Sequence, residues 1–415
     1  MHTNPATPRL RDSAMTVAGI AGAQCVLFAC IACLARAAGP AILGAFHYQV
    51  AIGTLGGTLL ALRYELACTS DNPRAAFSAL VNVLALATCI ACAGLVLAPA
   101  VGLPSVGLFA AFAFATIVQQ AANGFLTSMR RYAWISASRI ATNAGFLAML
   151  LAATDSVSGG SIDPFMLYTV SSILVALVTL MAIVRYGVTQ GYAIRIARTF
   201  FIEHVRFPVY ILPATLCGAV LTHALTLAIP NWFGDRDAGQ FAAAYRLGFF
   251  PVALIGLGVG AVFRRDALAA IAAPDARRAL SGMYASYARM LLALSLLYAL
   301  VSAWAFRPLV MLFFGAVWQP SADLHLRLLP LFALQMSYIP LSQIFLARRA
   351  QRIDFLFQLV SGAVLLAALL IARRLGLSLL SSVTAFSLAG SAMMTAGLAL
   401  TYRCAQHTHP CGEGK

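Results

Sequence analysis

The stretch from Pro164 to Val184, PFMLYTVSSILVALVTLMAIV, decides the fold class of this chain. It contains no charged residue, and Asp163 and Arg185 stand directly at its two ends. About twenty apolar residues in a helix cross the hydrocarbon core of a bilayer. Because lipid offers the backbone no hydrogen-bond partners, such a segment must be helical. The stretch therefore predicts a transmembrane α-helix.

Similar stretches recur along the whole chain of 415 residues, of which 61% are hydrophobic and only 10% charged. A soluble domain carries about 25% charged residues. The sequence therefore predicts an all-α, polytopic membrane protein with about twelve transmembrane helices. Pro308 to Trp318 is either a re-entrant piece or an extension of the ninth helix. The predicted spans are 14–35, 42–62, 76–99, 105–127, 134–153, 164–185, 208–230, 238–262, 285–305, 323–346, 355–372 and 379–402.

The cationic residues predict the orientation of the chain, whose net charge is +15. If the N-terminus lies in the cytoplasm, the alternating loops place roughly three times as many cations inside as outside. This bias predicts that both termini are cytoplasmic. The apolar run from Met15 to Ala35 is too long for the core of a signal peptide, so we expect it to remain as the first helix.

Six spans in each half predict two six-helix lobes around a central cavity, with both halves in the same orientation, as in several transporter folds. The expected bounds are 1–190 for the first lobe and 208–403 for the second. Residues 191–207 form a cytoplasmic linker, and residues 404–415 form a cytoplasmic tail. The linker is basic and amphipathic, so it is either an interfacial helix or a plain charged loop.

Several functional classes find no support in the sequence. The arginines stand singly or in short pairs, without the basic helix or stacking aromatics of a nucleic-acid module. No paired carboxylates or nucleophile motif indicate an enzyme, and no cofactor motif is present. The pairs Cys30–Cys33 and Cys89–Cys92 are interpreted as buried thiols, because small apolar thiols are common in buried helices and no His cluster completes a zinc site with them. A weak metal candidate lies in the tail, at Cys404, His407, His409 and Cys411.

Ionisable residues within predicted spans are the first functional candidates, because burying charge in lipid is costly. Arg246 lies about two turns into the eighth span, either in a water-filled cavity or at the outer interface. For Arg36, Arg327 and His223 the alternatives are that each lines a vestibule, reaches the membrane interface, or is buried with hydrogen-bond partners. We group the arginines with Arg63 as a cationic, substrate-binding cavity, and we place His223 and Tyr245 among the polar residues of that cavity.

Acidic residues are nearly absent from the predicted spans. Glu65 lies near the inner end of the second span, where it pairs with Arg63 or with Arg130 and Arg131. We interpret Glu65, Arg130 and Arg131 as structural or gating residues. Permanent positive charge without a cavity carboxylate favours an anionic cargo such as a phosphate or pyrophosphate, which arginine binds through two parallel hydrogen bonds.

Polar side chains in the fourth span form a second group of candidates. Gln119, Gln120 and Asn123 lie on one side of a helix and are predicted to face the cavity. Other buried amides, including Asn143, are expected to form hydrogen bonds between helices.

Four short motifs resemble the bacterial polysaccharide (O-antigen) flippases of the multidrug/oligosaccharidyl-lipid/polysaccharide exporter superfamily, and they occur in the same order. The motifs are Arg63-Tyr64-Glu65-Leu66-Ala67, the stretch AGQFAAAYR at 238–246 with PVALIG at 251–256, LFFGAVW at 312–318, and PLS at 340–342. The sequence departs from the family pattern after the first motif, where Cys68-Thr69-Ser70 replaces an apolar segment with proline.

The resemblance implies a protein of the bacterial inner membrane that is not an enzyme. It implies movement of an undecaprenyl-pyrophosphate-linked oligosaccharide from the cytoplasmic to the periplasmic leaflet for surface polysaccharide synthesis. Expected partners are this lipid-linked oligosaccharide, membrane lipids, a coupling H⁺ or Na⁺ and a polysaccharide polymerase. The alternatives are an ion-coupled exporter of a drug-like or anionic lipid cargo, a membrane-embedded polymerase or ligase, or a membrane scaffold without transport activity.

Overall fold

The computed structural model describes residues 7–70, 72–101, 106–348 and 350–406, and in this part of the chain it contains helices and connecting turns but no strand. The chain divides into two compact units, Met1–Leu216 and Cys217–Lys415. Each unit is built from helices of membrane-spanning length, because the apolar stretches leave the backbone no partners outside a helix.

The first unit contains two helices for the first two predicted spans, joined end to end as α1. Gly39 separates them with φ 75° and ψ −175°, a backbone conformation that glycine adopts without steric cost, and Pro40 begins the second half. The helices of this unit are α1 (Thr7–Ala61), α2 (Pro73–Val101), α3 (Val106–Ser128), α4 (Tyr132–Ala152), α5 (Thr154–Ser158), α6 (Pro164–Thr189) and α7 (Arg198–Glu203).

The second unit follows a π-helical turn at Phe207–Ile211 and begins within α8. In its core, α11 packs against α9, α10 and α14. The helices are α8 (Leu212–Phe233), α9 (Asp235–Ile271), α10 (Ala276–Phe314), α11 (Gln319–Leu341), α12 (Gln343–Ala347), α13 (Gln351–Arg374) and α14 (Leu379–Gln406).

Ten helices among the described residues are long and apolar enough to cross a membrane. The first of them holds two predicted spans on either side of Gly39, and α8 coincides with the seventh predicted span. The all-α fold of about twelve helices in two lobes is thereby confirmed. Pro308 lies inside α10, which continues to Phe314. From Pro308 to Phe314 the chain therefore extends the ninth predicted helix and does not form a re-entrant piece.

The segment between α6 and α8 contains a short helix and not only a loop. In α7, Phe200 is buried, and its ring and that of Phe201 contact Tyr64. The Asn82 side chain of α2 fixes the approach to this helix by accepting a hydrogen bond from the backbone N–H of Ala197 at 2.8 Å. The linker is therefore anchored to the first unit. The lobe, linker and tail bounds expected from the sequence stay predictions.

Candidate functional site

A polar cavity of about 400 Å³ lies in the first unit, where the 3₁₀ segment Tyr64–Cys68 meets α3 and α4. It combines two guanidinium groups, one carboxylate, two amides and several hydroxyls. Its lining residues are Arg63, Glu65, Leu66, Thr69, Gln120, Asn123, Gly124, Thr127, Tyr132, Ile135, Ser136 and Arg139.

The backbone at the end of α1 directs the first two charges into this cavity. Leu62 and Arg63 have φ values of 48° and 64°, in the left-handed region that side-chain-bearing residues seldom adopt. This turn ends α1, and the backbone N–H of Leu66 then donates to the Arg63 carbonyl at 3.2 Å to start the 3₁₀ segment. Strained conformations of this kind persist where the surrounding packing fixes them.

Packing on both sides fixes this 3₁₀ segment. The Tyr64 hydroxyl donates to the carbonyl oxygen of Phe201 at 3.4 Å, and Cys68 is completely buried. On the α3 side, Gly124 allows close approach, since a Cβ atom there would lie 2.9 Å from the Cβ of Cys68. A small residue in α3 and an aromatic contact from α7 thus hold Arg63 and Glu65 in place.

Glu65 is the buried acid of the cavity, with a side chain only 5% exposed. The expectation of a cationic cavity without a carboxylate is therefore wrong for the first unit. Oε1 of Glu65 lies 2.8 Å from Nη1 of Arg63, whereas its Oε2 is buried and has no hydrogen-bond partner among the described residues. Burial raises the pKa of the Glu65 carboxyl, and the charge of Arg63 partly opposes that rise. The Oε2 atom is a place for a proton or for a ligand that donates a hydrogen bond.

Arg139 supplies a second positive charge that no motif of the sequence singles out. It lies two turns into α4, and its side chain lines the cavity. In the part of the chain that the structure describes, no carboxylate forms an ion pair with it. With Glu65 ionised the three charges sum to +1, and with Glu65 protonated they sum to +2. An anion is the complementary ligand.

The three predicted amides of α3 fall into two groups. Gln120 and Asn123 line the cavity, and the Gln120 Oε1 atom is buried without a hydrogen-bond partner among the described residues. Gln119 does not line this cavity, because its Nε2 donates to the Ser172 carbonyl at 3.0 Å. Asn143 likewise donates from Nδ2 to the Ala23 carbonyl at 2.8 Å, which is the inter-helix role expected for it.

Arg130 and Arg131 lie at the turn between α3 and α4, and both are exposed. Glu65 pairs with Arg63 and not with either of them. Arg130 has φ 54° and occupies the position after a helix end that glycine usually fills. Neither arginine lines the polar cavity, and their structural or gating role stays a prediction.

The remaining predicted residues lie elsewhere. Arg36 is exposed shortly before the kink of α1, and Arg327 is exposed on α11. Arg246 is exposed on α9, and His223 lies on α8. None of Arg36, Arg246, Arg327 and His223 is among the lining residues of the polar cavity.

A second polar cavity, of about 280 Å³, lies within the second unit between α9, α11, α13 and α14. Tyr245 lines it and stacks on Phe249 with ring centroids 5.5 Å apart. Asp354, in the first turn of α13, also lines it. The sequence pattern misses Asp354 because the predicted span begins at residue 355. The polar lining residues are Tyr245, Gln335, Tyr338, Ser342, Gln343, Asp354, Gln358 and Ser361.

The cysteines described by the structure are free thiols. Cys30 is buried as expected, whereas Cys89 and Cys92 are exposed, so the expectation that this second pair is buried is wrong. Among the described residues, no group of three His, Cys, Asp or Glu side chains could hold a metal ion. The metal candidate of the tail depends on His407, His409 and Cys411, which lie outside the described residues.

Solved structures similar to this chain include membrane transporters. The MATE multidrug transporter DinF-BH, in a ligand complex, has a TM-score of 0.62 at 15% identity, with 96% of each chain covered. The lipid II flippase MurJ in an inward closed conformation has a TM-score of 0.67 at 12% identity, with 94% of this chain and 87% of that chain covered. This chain has the fold of these transporters. Together with the apolar helices, that fold makes it a multi-pass membrane protein.

A third similar structure is an inward-facing MATE multidrug resistance transporter of the MOP superfamily, with a TM-score of 0.66 at 12% identity over 97% of this chain and 94% of that chain. No family model and no curated protein matches the chain. At such identities the likeness concerns the fold, so the evidence for function comes from the cavities.

Proposed function

We propose that this protein is a flippase that moves an undecaprenyl-pyrophosphate-linked oligosaccharide between the leaflets of the bacterial inner membrane, for surface polysaccharide synthesis. The observation that carries the proposal is the polar cavity of the first unit. It presents Arg63 and Arg139 around one buried carboxylate. A scaffold without transport activity gives no reason to keep such a charged cavity in an apolar bundle.

Pyrophosphate suits this cavity because guanidinium groups stay charged and bind phosphate oxygens through paired hydrogen bonds. The side-chain amides of Gln120 and Asn123 line the same cavity and suit the remaining phosphate oxygens or the first sugar. The prenyl chain stays in lipid while the two lobes alternate. Arg36, Arg246 and Arg327 remain proposed members of the cationic path, with His223 and Tyr245 as polar residues along it.

The cavity of the second unit supports the proposed coupling to an ion. Asp354 is surrounded by amide and hydroxyl groups, and the Oε1 of Gln335 and the Oγ of Ser361 are buried without a hydrogen-bond partner among the described residues. An intramembrane carboxylate takes up a proton or marks an ion path, and the surrounding oxygen atoms suit a cation such as Na⁺. We propose that this cavity takes up the coupling cation while the first unit binds the anionic headgroup.

An exporter of another cargo in the same fold is the second candidate. The similar MATE structures favour it, since one of them is a multidrug transporter in a ligand complex. The positive cavity of the first unit favours an anionic lipid over a cationic drug. We propose no enzymatic activity. The polymerase partner and the cytoplasmic position of both termini stay predictions.

The binding of a pyrophosphate lipid to the purified full chain tests this proposal. Undecaprenyl pyrophosphate is compared with undecaprenol, which has the same chain without charge, and with the lipophilic cation tetraphenylphosphonium. The expected result is that only the pyrophosphate lipid binds, and that Arg139→Ala weakens its binding on the order of tenfold or more.

Arg277→Ala is the matched control, because Arg277 is also exposed and lines neither polar cavity. Equal binding of the uncharged lipid, or an equal loss of affinity in both variants, contradicts the assignment of the cavity. Tight binding of tetraphenylphosphonium without binding of the pyrophosphate lipid contradicts the proposed flippase function and favours the export of a drug-like cargo.

A further inference from the structure

A third cavity, of about 380 Å³, lies in the first unit where the end of α3, the start of α4 and the last turns of α6 meet. We call it the α4/α6 groove. It shares no lining residue with the polar cavity, since α3 presents different residues to the two. Its lining residues are Phe125, Leu126, Met129, Arg131, Trp134, Thr179, Ala182, Ile183, Arg185, Tyr186 and Thr189.

The surface beside this groove is apolar and exposed along α6. Val178, Met181 and Val188 are exposed by 66%, 71% and 57%. A stripe of this kind on a membrane-spanning helix contacts acyl chains. Inside the groove, the side chains of Phe125 and Ile183 form a wall that has the same apolar character. An acyl chain therefore passes from the bilayer into the groove without meeting a polar barrier.

The polar end of the groove is positively charged. Arg131 precedes α4 and Arg185 lies in the last turns of α6, so both residues lie at the same end of the unit. Both are exposed and line the groove, and no carboxylate is among its lining residues. Trp134, half exposed at 51%, and Tyr186 stand beside them. Aromatic rings next to cations mark the headgroup level of a bilayer.

We propose that the α4/α6 groove binds one anionic phospholipid of the surrounding leaflet, separately from any transported lipid. Arg131 and Arg185 bind its phosphate, Trp134 lies at the level of the glycerol, and one acyl chain fills the apolar part of the groove. Two arginines near a membrane surface raise the affinity for an anionic lipid roughly thirtyfold. A zwitterionic lipid gains little of this attraction.

Native mass spectrometry of the full chain in detergent tests the proposal. Phosphatidylglycerol is the probe, phosphatidylcholine of the same acyl chains tests the charge, and glycerol phosphate tests whether the acyl chain is needed. We expect one tightly bound phosphatidylglycerol per chain, and weaker binding of both comparison molecules. The double variant Arg131→Gln/Arg185→Gln should weaken phosphatidylglycerol binding on the order of tenfold or more.

Two further variants make the result specific. Arg277→Gln/Arg278→Gln removes the same charge at the exposed start of α10 and should keep the bound lipid. Ala182→Phe fills the groove and leaves both arginines in place, so it should also release the lipid; it decides the matter if the double arginine variant does not fold. Unchanged binding in Ala182→Phe, equal loss in the α10 control, or equal binding of phosphatidylcholine overturns the proposal.

Discussion

Arg63 and Glu65 form an ion pair directly after α1, with 2.8 Å between Nη1 of Arg63 and Oε1 of Glu65. Arg63 itself belongs to the left-handed turn that ends this helix. The side chain of Arg63 remains 22% exposed, whereas that of Glu65 is buried. The pair is therefore asymmetric. The Arg63 side chain is accessible to a ligand, and the protonation state of Glu65 sets the net positive charge of the cavity.

The pH dependence of anion binding should depend on Glu65. Burial raises the pKa of its carboxyl, so protonation occurs above the usual carboxyl range. Protonation takes the cavity from +1 to +2, and the affinity for a pyrophosphate lipid should therefore rise as pH falls through that pKa. Glu65→Gln should bind tightly throughout and lose this slope. A Glu65→Gln profile parallel to that of the wild type would exclude Glu65 as the titrating group.

The same residue should affect stability with a defined sign. Because the folded-state pKa of Glu65 lies above its unfolded value, folding is favoured below the unfolded pKa, and that contribution disappears as pH rises through the folded pKa. The thermal midpoint of Glu65→Gln, relative to that of the wild type, should therefore increase as pH rises from acidic to neutral. The measurement is thermal unfolding in detergent across this range. A constant difference between the two proteins contradicts the prediction.

Arg139 should act through its charge and its shape. Arg139→Ala removes one guanidinium from the polar cavity, and Arg139→Lys keeps the charge but not the paired hydrogen bonds. The expected order of affinity for undecaprenyl pyrophosphate is wild type, then Lys, then Ala, with similar thermal midpoints. Isothermal titration or ligand-induced thermal shift measures this order. If Lys and Ala are equally impaired, shape alone matters; if neither is impaired, Arg139 is not part of the binding site.

Gly124 should be intolerant of a side chain. The Cβ of alanine would lie 2.9 Å from the Cβ of Cys68 and 3.3 Å from the Glu65 carbonyl oxygen. Overpacking costs about 1–3 kcal/mol, which exceeds the gain of roughly 1 kcal/mol in helix propensity. Gly124→Ala should lower the thermal midpoint and the affinity for the anionic lipid.

Gly282→Ala serves as the control for this experiment, because no atom outside the local backbone of α10 lies within 4 Å of the Cβ it would add. It should be neutral or slightly stabilising. A Gly124→Ala protein with an unchanged midpoint and unchanged affinity would show that α3 and the 3₁₀ segment are not held as closely as described.

Asp354 should set the dependence of transport on the ion gradient. Asp354→Asn keeps the size of the side chain and removes the only carboxylate among the lining residues of the second-unit cavity. Transport by the variant should no longer respond to an imposed Na⁺ or H⁺ gradient. Asp323→Asn, in an exposed position of α11 outside this cavity, should respond as the wild type does. An unaltered gradient response in Asp354→Asn would place the coupling site elsewhere.

The sequence is sufficient to predict the membrane-spanning helices, because a segment such as Pro164–Val184 has only one stable backbone conformation in lipid, the helix. It also indicates Arg63, Glu65, Gln120 and Asn123 as candidates, and these four line one cavity. Helical spacing alone does not separate Gln119 from Gln120, since the choice depends on how α3 is rotated against its neighbours.

Other features depend on tertiary packing. Arg139 is not among the candidates from the sequence, because the sequence does not show that α4 and the segment after α1 line the same cavity. Asp354 escapes the predicted span because the boundary differs by a few residues. The α4/α6 groove joins residues from three helices, and no local pattern marks it.

Translocation of a pyrophosphate-linked oligosaccharide across reconstituted vesicles is the decisive measurement for the proposed flippase. The assay measures how fast the glycan becomes accessible to an enzyme on the opposite side, for the wild type, Arg63→Ala, Arg139→Ala, Arg246→Ala, Arg246→Lys and the control Arg277→Ala. We expect wild-type rates in the control and strong loss in Arg63→Ala and Arg139→Ala, with Arg246→Ala slower than Arg246→Lys. Wild-type rates in both Arg63→Ala and Arg139→Ala, at normal expression, would refute the role of the polar cavity in transport.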